Sequence, residues 1–154
     1  LTGRVWLAGA QALTTLNPFF FRCMQNTKNN HGIVLFAHGS RDPLWRAPME
    51  AVRQQIEAQS AAAAVRCAYL ELCAPSLPDA VQELLAESAS HNTHITHITV
   101  VPMFLGTGKH AREDLPVLVQ ALRNAHPSVQ FHIQPAIGEN PRMTALMAEI
   151  ASEI

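Results

Sequence analysis

The sequence predicts a three-layer α/β/α domain built on a four-stranded, mostly parallel sheet of order 2-1-3-4, and three observations predict it. Residues 32–37 (GIVLFA) form an unbroken apolar run with no alternation, the pattern of a strand buried on both faces. Four apolar or β-branched segments each precede a segment of helical period, giving βαβαβαβα. The length of 154 residues with 48% apolar content suits one domain with one core.

The elements follow in order. After the first strand, Trp45, Met49, Val52 and Ile56 are spaced four, three and four, with Pro48 suited to the first turn of a helix. Residues 65–72 (VRCAYLEL) read as the second strand, stopped by Pro75. Ser76 followed by Asp79 reads as an N-cap with an acid three residues on, and Val81, Leu84 and Leu85 carry the apolar face of the second helix. Residues 95–104 (ITHITVVPMF) are rich in β-branched side chains and form the third strand. Residues 105–113 read as a loop, and Asp114 as the cap of a third helix whose face is Leu115, Leu118, Val119 and Leu122. Residues 129–133 are the fourth strand. Met143, Leu146, Met147, Ile150 and Ile154 then mark a last helix, with its methionines expected in the core.

Residues 1–30 lack a clear period and are expected to stand outside the fold, leaving 31–154 as the single domain. Met24 reads as the natural start, with 1–23 an upstream extension; the rival reading, a signal peptide, is weakened by Gln11, Pro18 and the Phe-rich run after them. Eleven basic against twelve acidic residues give a net charge of −1, which argues against a bulk nucleic-acid binder. No uncharged apolar stretch is long enough for a membrane-spanning helix. Three cysteines, Cys23, Cys67 and Cys73, do not make a secreted disulfide framework and point to a cytoplasmic protein.

Eight histidines are the unusual feature of the composition. In open parallel sheets ligands bind beyond the carboxyl ends of the strands, where strand order reverses; here that point lies between strands 1 and 3. His38 ends strand 1, Glu71 ends strand 2, and His110 sits in the loop after strand 3. Two imidazoles and a carboxylate suit a borderline divalent ion such as Co²⁺, Fe²⁺, Ni²⁺ or Zn²⁺, and equally suit acid–base chemistry.

Other motifs are weaker. The run Gly106-Thr107-Gly108-Lys109 lacks the leading glycine of a phosphate-binding P-loop and its Ser or Thr after the lysine, though its backbone N–H groups and Lys109 could face an anion. No arginine precedes His38-Gly39 as a histidine phosphatase requires, and no G-x-S-x-G elbow occurs. His91, His94 and His97, three apart, would fall on alternate faces of a strand and so read as a solvated loop. His31, His126 and His132 read as surface or structural, and Cys67 and Cys73 as small hydrophobes or free thiols.

Three segments together carry a resemblance: residues 38–42 (HGSRD), 70–77 (LELCAPSL) and 101–110 (VPMFLGTGKH) followed by 113–116 (EDLP). They resemble the small, CbiX-type sirohydrochlorin chelatases over roughly residues 32–153. The resemblance implies a chelatase-like fold with flavodoxin-like strand order. It implies insertion of Co²⁺ or Fe²⁺ (Ni²⁺ being a further candidate) into sirohydrochlorin, in cobalamin or sirohaem biosynthesis, with no organic cofactor. It aligns His38 and His110 with the family's metal-binding histidines and Glu71 with an acidic residue present in many members. It also implies a homodimer that completes the cleft.

The chemistry such a reaction needs is definite. Two pyrrole protons must leave as the metal enters; neutral imidazoles can hold the ion, and Glu71 or a histidine is the natural acceptor of protons. The eight carboxylates of the substrate call for cations, for which Arg41, Lys109 and Arg112 are the candidates. A non-enzymatic carrier of metal or tetrapyrrole using the same histidines is the competing reading, separated from an enzyme by turnover. A flavodoxin-like regulatory domain is a third, disfavoured because residues 38–41 (HGSR) make a poor flavin phosphate loop.

Overall fold

A computed structural model describes residues 30–60 and 63–153 of the chain. Of the segment expected to lie outside the fold, residues 1–30, residues 1–29 are outside the described residues, while Asn30 is described and its carbonyl accepts from the Thr96 and His97 N–H groups.

Four parallel strands, β1 (His31–Ala37), β2 (Ala64–Tyr69), β3 (His97–Pro102) and β4 (Gln130–Ile133), form one sheet in the order β2-β1-β3-β4. This is the order the sequence predicts. The alternating residues of β1 explain its uniform apolarity. Val34 and Phe36 enter a cluster on one face with Ile98, Val100 and Phe131, while Leu35 and Ala37 enter a second cluster on the other face with Val65, Cys67 and Tyr69.

Helices α1 (Ala47–Gln59), α2 (Leu77–Ser90), α3 (Lys109–Ala125) and α4 (Pro141–Ser152) follow the strands. On the first face Leu77, Ala80, Val81 and Leu84 of α2 and Leu115, Val119 and Leu122 of α3 are buried. At about 1.5–3 kcal/mol per fully buried large apolar side chain, the six leucines and valines among these supply much of the favourable term for that face. On the second face Met49, Val52 and Ile56 of α1 pack over β2 and β1.

Local chemistry sets the helix starts. Ser76 accepts from the Asp79 backbone N–H while the Asp79 carboxylate accepts from the Ser76 backbone N–H, the reciprocal capping box expected at α2. Pro48 sits in the first turn of α1 as expected. The expected cap of the third helix is corrected. Gly108, with extended backbone, is the N-cap of α3, so Asp114 lies within the helix and so does Pro116. The residues expected as a loop before Asp114 are in part the first turn of α3, and His110 is its second residue.

Two further expectations are corrected. Strand β2 stops at Tyr69, because the chain turns there and the Tyr69 N–H donates to the Pro75 carbonyl; Glu71 therefore lies in the turn beyond the strand. The methionines of α4 are not in a core. No residue of α4 is buried, and its chief neighbour is the 3-10 turn Ile137–Glu139 that precedes it.

Candidate functional site

The carboxyl edge of the sheet gathers the candidate residues. His38 follows directly on β1, and Gly39 then turns the chain at φ +95°, a left-handed value that favours glycine. The approach there is close: a Cβ on Gly39 would sit 1.9 Å from the Glu71 carbonyl oxygen. Two backbone hydrogen bonds lock the ends of β1 and β2 together, Leu70 N–H to Ala37 carbonyl at 2.9 Å and Glu71 N–H to His38 carbonyl at 3.0 Å. The backbones carrying His38 and Glu71 are thus rigidly paired. Both side chains are exposed at the edge, open to solvent and to a ligand.

The His38 ring lies on Phe104, with ring centroids 4.3 Å apart and planes tilted by 36°. Phe104 is itself buried and meets Phe36 edge-on at 6.0 Å. The core thereby holds one side of the imidazole and leaves the other side free. Phe104 is a positioning residue that sequence reasoning missed. Its signal was its place at the end of the β3 segment, where a buried aromatic reaches the site edge.

The third element is the segment from Phe104 to α3. Gly106 and Gly108 lie in open space, and α3 begins without a side-chain cap, so its first-turn N–H groups face the same edge. The backbone of His110 is in that first turn; its side chain lies outside the described residues. The segment is tethered by the 3-10 turn that follows β4. Thr107 Oγ1 donates to Glu139 at 2.9 Å, the Gly138 N–H donates to the Phe104 carbonyl at 2.9 Å, and a Cβ on Gly138 would meet the Leu105 carbonyl oxygen at 2.1 Å. Phe104, Thr107, Arg112, Leu115, Pro116 and Glu139 help line a shallow pocket of about 180 Å³ beside this tether.

The cations suggested by the sequence are exposed at this edge. The Arg41 loop is fixed by Ser40 Oγ accepting from the Asp42 N–H at 3.1 Å and by Asp42 accepting from the Leu44 N–H at 2.9 Å. Lys109 stands 3.9 Å from Glu113 in an exposed pair, and Arg112 lines the pocket. Large apolar side chains stand exposed after three of the four strands: Leu44 and Trp45 after β1, Leu72 after β2 and Leu105 after β3. Leu72 is held at φ 67°, a left-handed conformation unusual for a branched residue. Leu44, Leu72 and Leu105 were not singled out from the sequence, where an isolated loop Leu carries no signal; Trp45, expected on the apolar face of the first helix, lies instead in the 3-10 turn Pro43–Arg46 before it.

Three of the remaining histidines are occupied locally. The His91 ring bonds the Glu87 carbonyl at the end of α2, His97 meets Thr96, and His31 meets Thr99 across β1 and β3. Among the described residues no group of three or more His, Cys, Asp or Glu side chains is placed to hold a metal ion. Cys67 is buried, Cys73 is half-buried, and both are free thiols. Burial pushes the Cys67 thiol up to about 12, which makes it a small hydrophobe and not a ligand. No helix among the described residues is long and apolar enough to cross a membrane.

Comparison with known proteins follows the same lines. The chain is 34% identical over 87 residues to a sirohydrochlorin cobaltochelatase of Methanopyrus kandleri, covering 56% of this chain and 57% of that protein. It is 27% identical over 106 residues to a sirohydrochlorin ferrochelatase of Bacillus subtilis, covering 69% of this chain and 38% of that protein. The chain thus spans less than two thirds of the length of either relative. Among solved structures, one from Marinobacter aquaeolei described as a cobalamin (vitamin B12) biosynthesis CbiX protein matches with a TM-score of 0.64 and 31% identity, over 80% of this chain and 95% of that one. The chelatase SirB of Bacillus subtilis subspecies spizizenii, solved with cobalt, shares the fold with a TM-score of 0.66 and 24% identity, over 80% of this chain and 50% of that one. The CbiX family model matches residues 32–154, nearly all of the described chain and every element that builds the sheet edge. The chain belongs to the CbiX family.

Proposed function

We propose that this chain is a sirohydrochlorin metal chelatase, inserting Co²⁺ or Fe²⁺ into the macrocycle in cobalamin or sirohaem biosynthesis. One observation carries the reading. His38 is held edge-exposed on a buried aromatic, directly after the strand next to the one that leads to His110, at the reversal point of the sheet. The names of the relatives, cobaltochelatase and ferrochelatase, support the same chemistry.

The metal is a substrate. In this reading His38 and His110 hold it through neutral imidazoles, so the ion binds as their protons leave. The macrocycle lies over the apolar loop residues Leu44, Trp45, Leu72 and Leu105, which exclude water from one of its faces. Its carboxylates meet Arg41, Lys109, Arg112 and the first-turn N–H groups of α3. As the ion passes from imidazole to pyrrole nitrogen, two protons leave the ring. Glu71, exposed and beside His38 along the backbone, takes up one of them, and a histidine freed of the ion takes up the other. No organic cofactor enters the scheme. A cytosolic location and a homodimer belong to the same proposal, the first supported by the two free thiols at Cys67 and Cys73.

The test is anaerobic mixing of the purified chain with excess sirohydrochlorin and either Co²⁺ or Fe²⁺, followed by absorption against a protein-free blank. Acceleration is expected, and the faster metal identifies the pathway. Tight binding of ion or ring without acceleration by either metal would give the protein to the carrier reading.

A further inference from the structure

We infer that the Tyr69 hydroxyl and the Arg46 guanidinium form an anion subsite beneath the Trp45 turn, and that it takes one rim carboxylate of the macrocycle. This rests on the chelatase reading and adds a point at which the substrate is gripped away from the metal.

The first observation is an unmet polar group. Tyr69 is the last residue of β2 and is 2% exposed, packed with Leu35, Ala37, Val65 and Cys67. Its hydroxyl oxygen has no hydrogen-bond partner, and it is the one such buried side-chain atom among the described residues. A buried hydroxyl without a partner costs stability, and native structures keep few of them. A phenylalanine would fill the same space without that cost, so packing does not account for the oxygen.

The second observation is an unmet charge. Arg46 is half-buried at the end of the 3-10 turn Pro43–Arg46, and among the described residues no carboxylate pairs with it. Withdrawing part of a guanidinium from water without an acid beside it is unfavourable. Its charge is felt at the Tyr69 hydroxyl. So is that of Glu50, but Arg53 engages this carboxylate at 2.8 Å. Burial pushes the Tyr69 hydroxyl up to about 12, so at neutral pH it keeps its proton and can donate. A donor O–H near an unpaired guanidinium complements a carboxylate, which accepts from both.

Position ties the pair to the site. A Cβ on Gly39 would sit 3.2 Å from the Tyr69 Cβ, and Gly39 directly follows His38. Glu71 lies two residues beyond Tyr69. A macrocycle centred on His38 therefore has its rim beside this end of β2.

The cover is the Pro43–Arg46 turn. Trp45 meets the Tyr69 ring edge-on, with centroids 6.2 Å apart, and is itself 39% exposed. No residue of the turn is buried. Asp42 holds it through two bonds, from the Leu44 N–H to Oδ1 at 2.9 Å and from the Trp45 N–H to the carbonyl at 3.1 Å. A turn with so little buried surface opens at small cost. As it shifts, the indole leaves Tyr69 for the face of the macrocycle and the carboxylate enters behind it.

Metal-free equilibrium titration of the full chain with sirohydrochlorin, followed by absorption, tests this on the parent, Tyr69→Phe, Arg46→Gln and the double variant. Each single change is expected to weaken binding about tenfold, the effect of one hydrogen bond to a charged group. The double variant is expected to fall short of the product of the two single losses, because both donors grip one carboxylate. In urea, Tyr69→Phe is expected to unfold no earlier than the parent, since the free chain loses no bond. Parental affinity in Tyr69→Phe, single losses that simply multiply, or an earlier urea midpoint would each overturn the subsite. If citrate stabilises the parent and not Tyr69→Phe while both bind the macrocycle equally, the subsite belongs to a free anion and its assignment to the macrocycle falls. A parent that binds no sirohydrochlorin overturns the chelatase reading and the subsite with it, so the two failures are told apart.

Discussion

Gly39 is where the account is most exposed to a single substitution. In Gly39→Ala the new Cβ would meet the Glu71 carbonyl oxygen at 1.9 Å, when real Cβ contacts stay beyond 3.0 Å. The neighbour is backbone, so relief requires one strand end to move by more than an ångström. Three terms set the magnitude. A non-glycine residue in the left-handed region costs about 1–2 kcal/mol. The paired hydrogen bonds from Leu70 and Glu71 are stretched, at about 1 kcal/mol each net. The sum is roughly 3–4 kcal/mol, against a total stability of about 5–15 kcal/mol for a domain of this class. The fold survives while His38 shifts relative to Phe104 and Glu71, and an ångström of misplacement at a reacting group costs on the order of 10² in rate. Urea unfolding and anaerobic chelation kinetics on one preparation read both effects. A Gly39→Ala protein with parental stability and parental rate would refute the claim that this close approach positions His38.

Other outcomes follow from the same geometry. Removing the capping hydroxyl in Ser76→Ala should cost about 1 kcal/mol in chemical denaturation, since one N–H of α2 loses its acceptor. Glu139→Ala should change stability little, because its bond to Thr107 is exposed, yet lower the chelation rate by loosening the segment ahead of His110; equal loss in both would mean a merely structural role. Cys73 should react with iodoacetamide at pH 8 well before Cys67, as peptide mass spectrometry would read. The raised Cys67 value has a defined sign. Below its ordinary value near 9 the thiol is neutral folded or unfolded and stabilises in full. As pH rises toward about 12 only the unfolded chain ionises, so stability falls by up to ~1.4 kcal/mol per pH unit. Cys67→Ala should remove that part of the alkaline slope, and an unchanged slope would locate it elsewhere.

Much of this was legible because single elements carried strong signals. β1 announced burial on both faces by its lack of alternation, and Ser76 with Asp79 announced the start of α2. The boundary of α3 was not legible. Asp114 has the chemistry of a cap, whereas the actual cap, Gly108, contributes only an extended backbone and no side-chain bond. His110 consequently looked like a loop residue and is in the first turn of a helix. The end of β2 was hidden for a related reason: residues 70–72 look like strand, and it is the return of the chain at Pro75 that ends the pairing. The amphipathic period of α4 was read correctly as a helix and wrongly as part of the core, since a period marks an apolar stripe without saying what covers it, and here Leu146 and Ile150 stand exposed. At the site, the histidines and the acid drew attention through their chemistry. Phe104 and the exposed Leu72 and Leu105 did not, because their meaning depends on the edge they share.

Counting turnovers tests the central claim most directly. Parent and His38→Ala proteins would be mixed anaerobically with sirohydrochlorin and metal, each in tenfold excess over the chain, and the metallated product measured per site. The account predicts many products per site for the parent, and for His38→Ala a rate no faster than the protein-free blank with an unchanged unfolding transition. No more than one metallated ring per parent site, or a parental rate in His38→Ala, would contradict it.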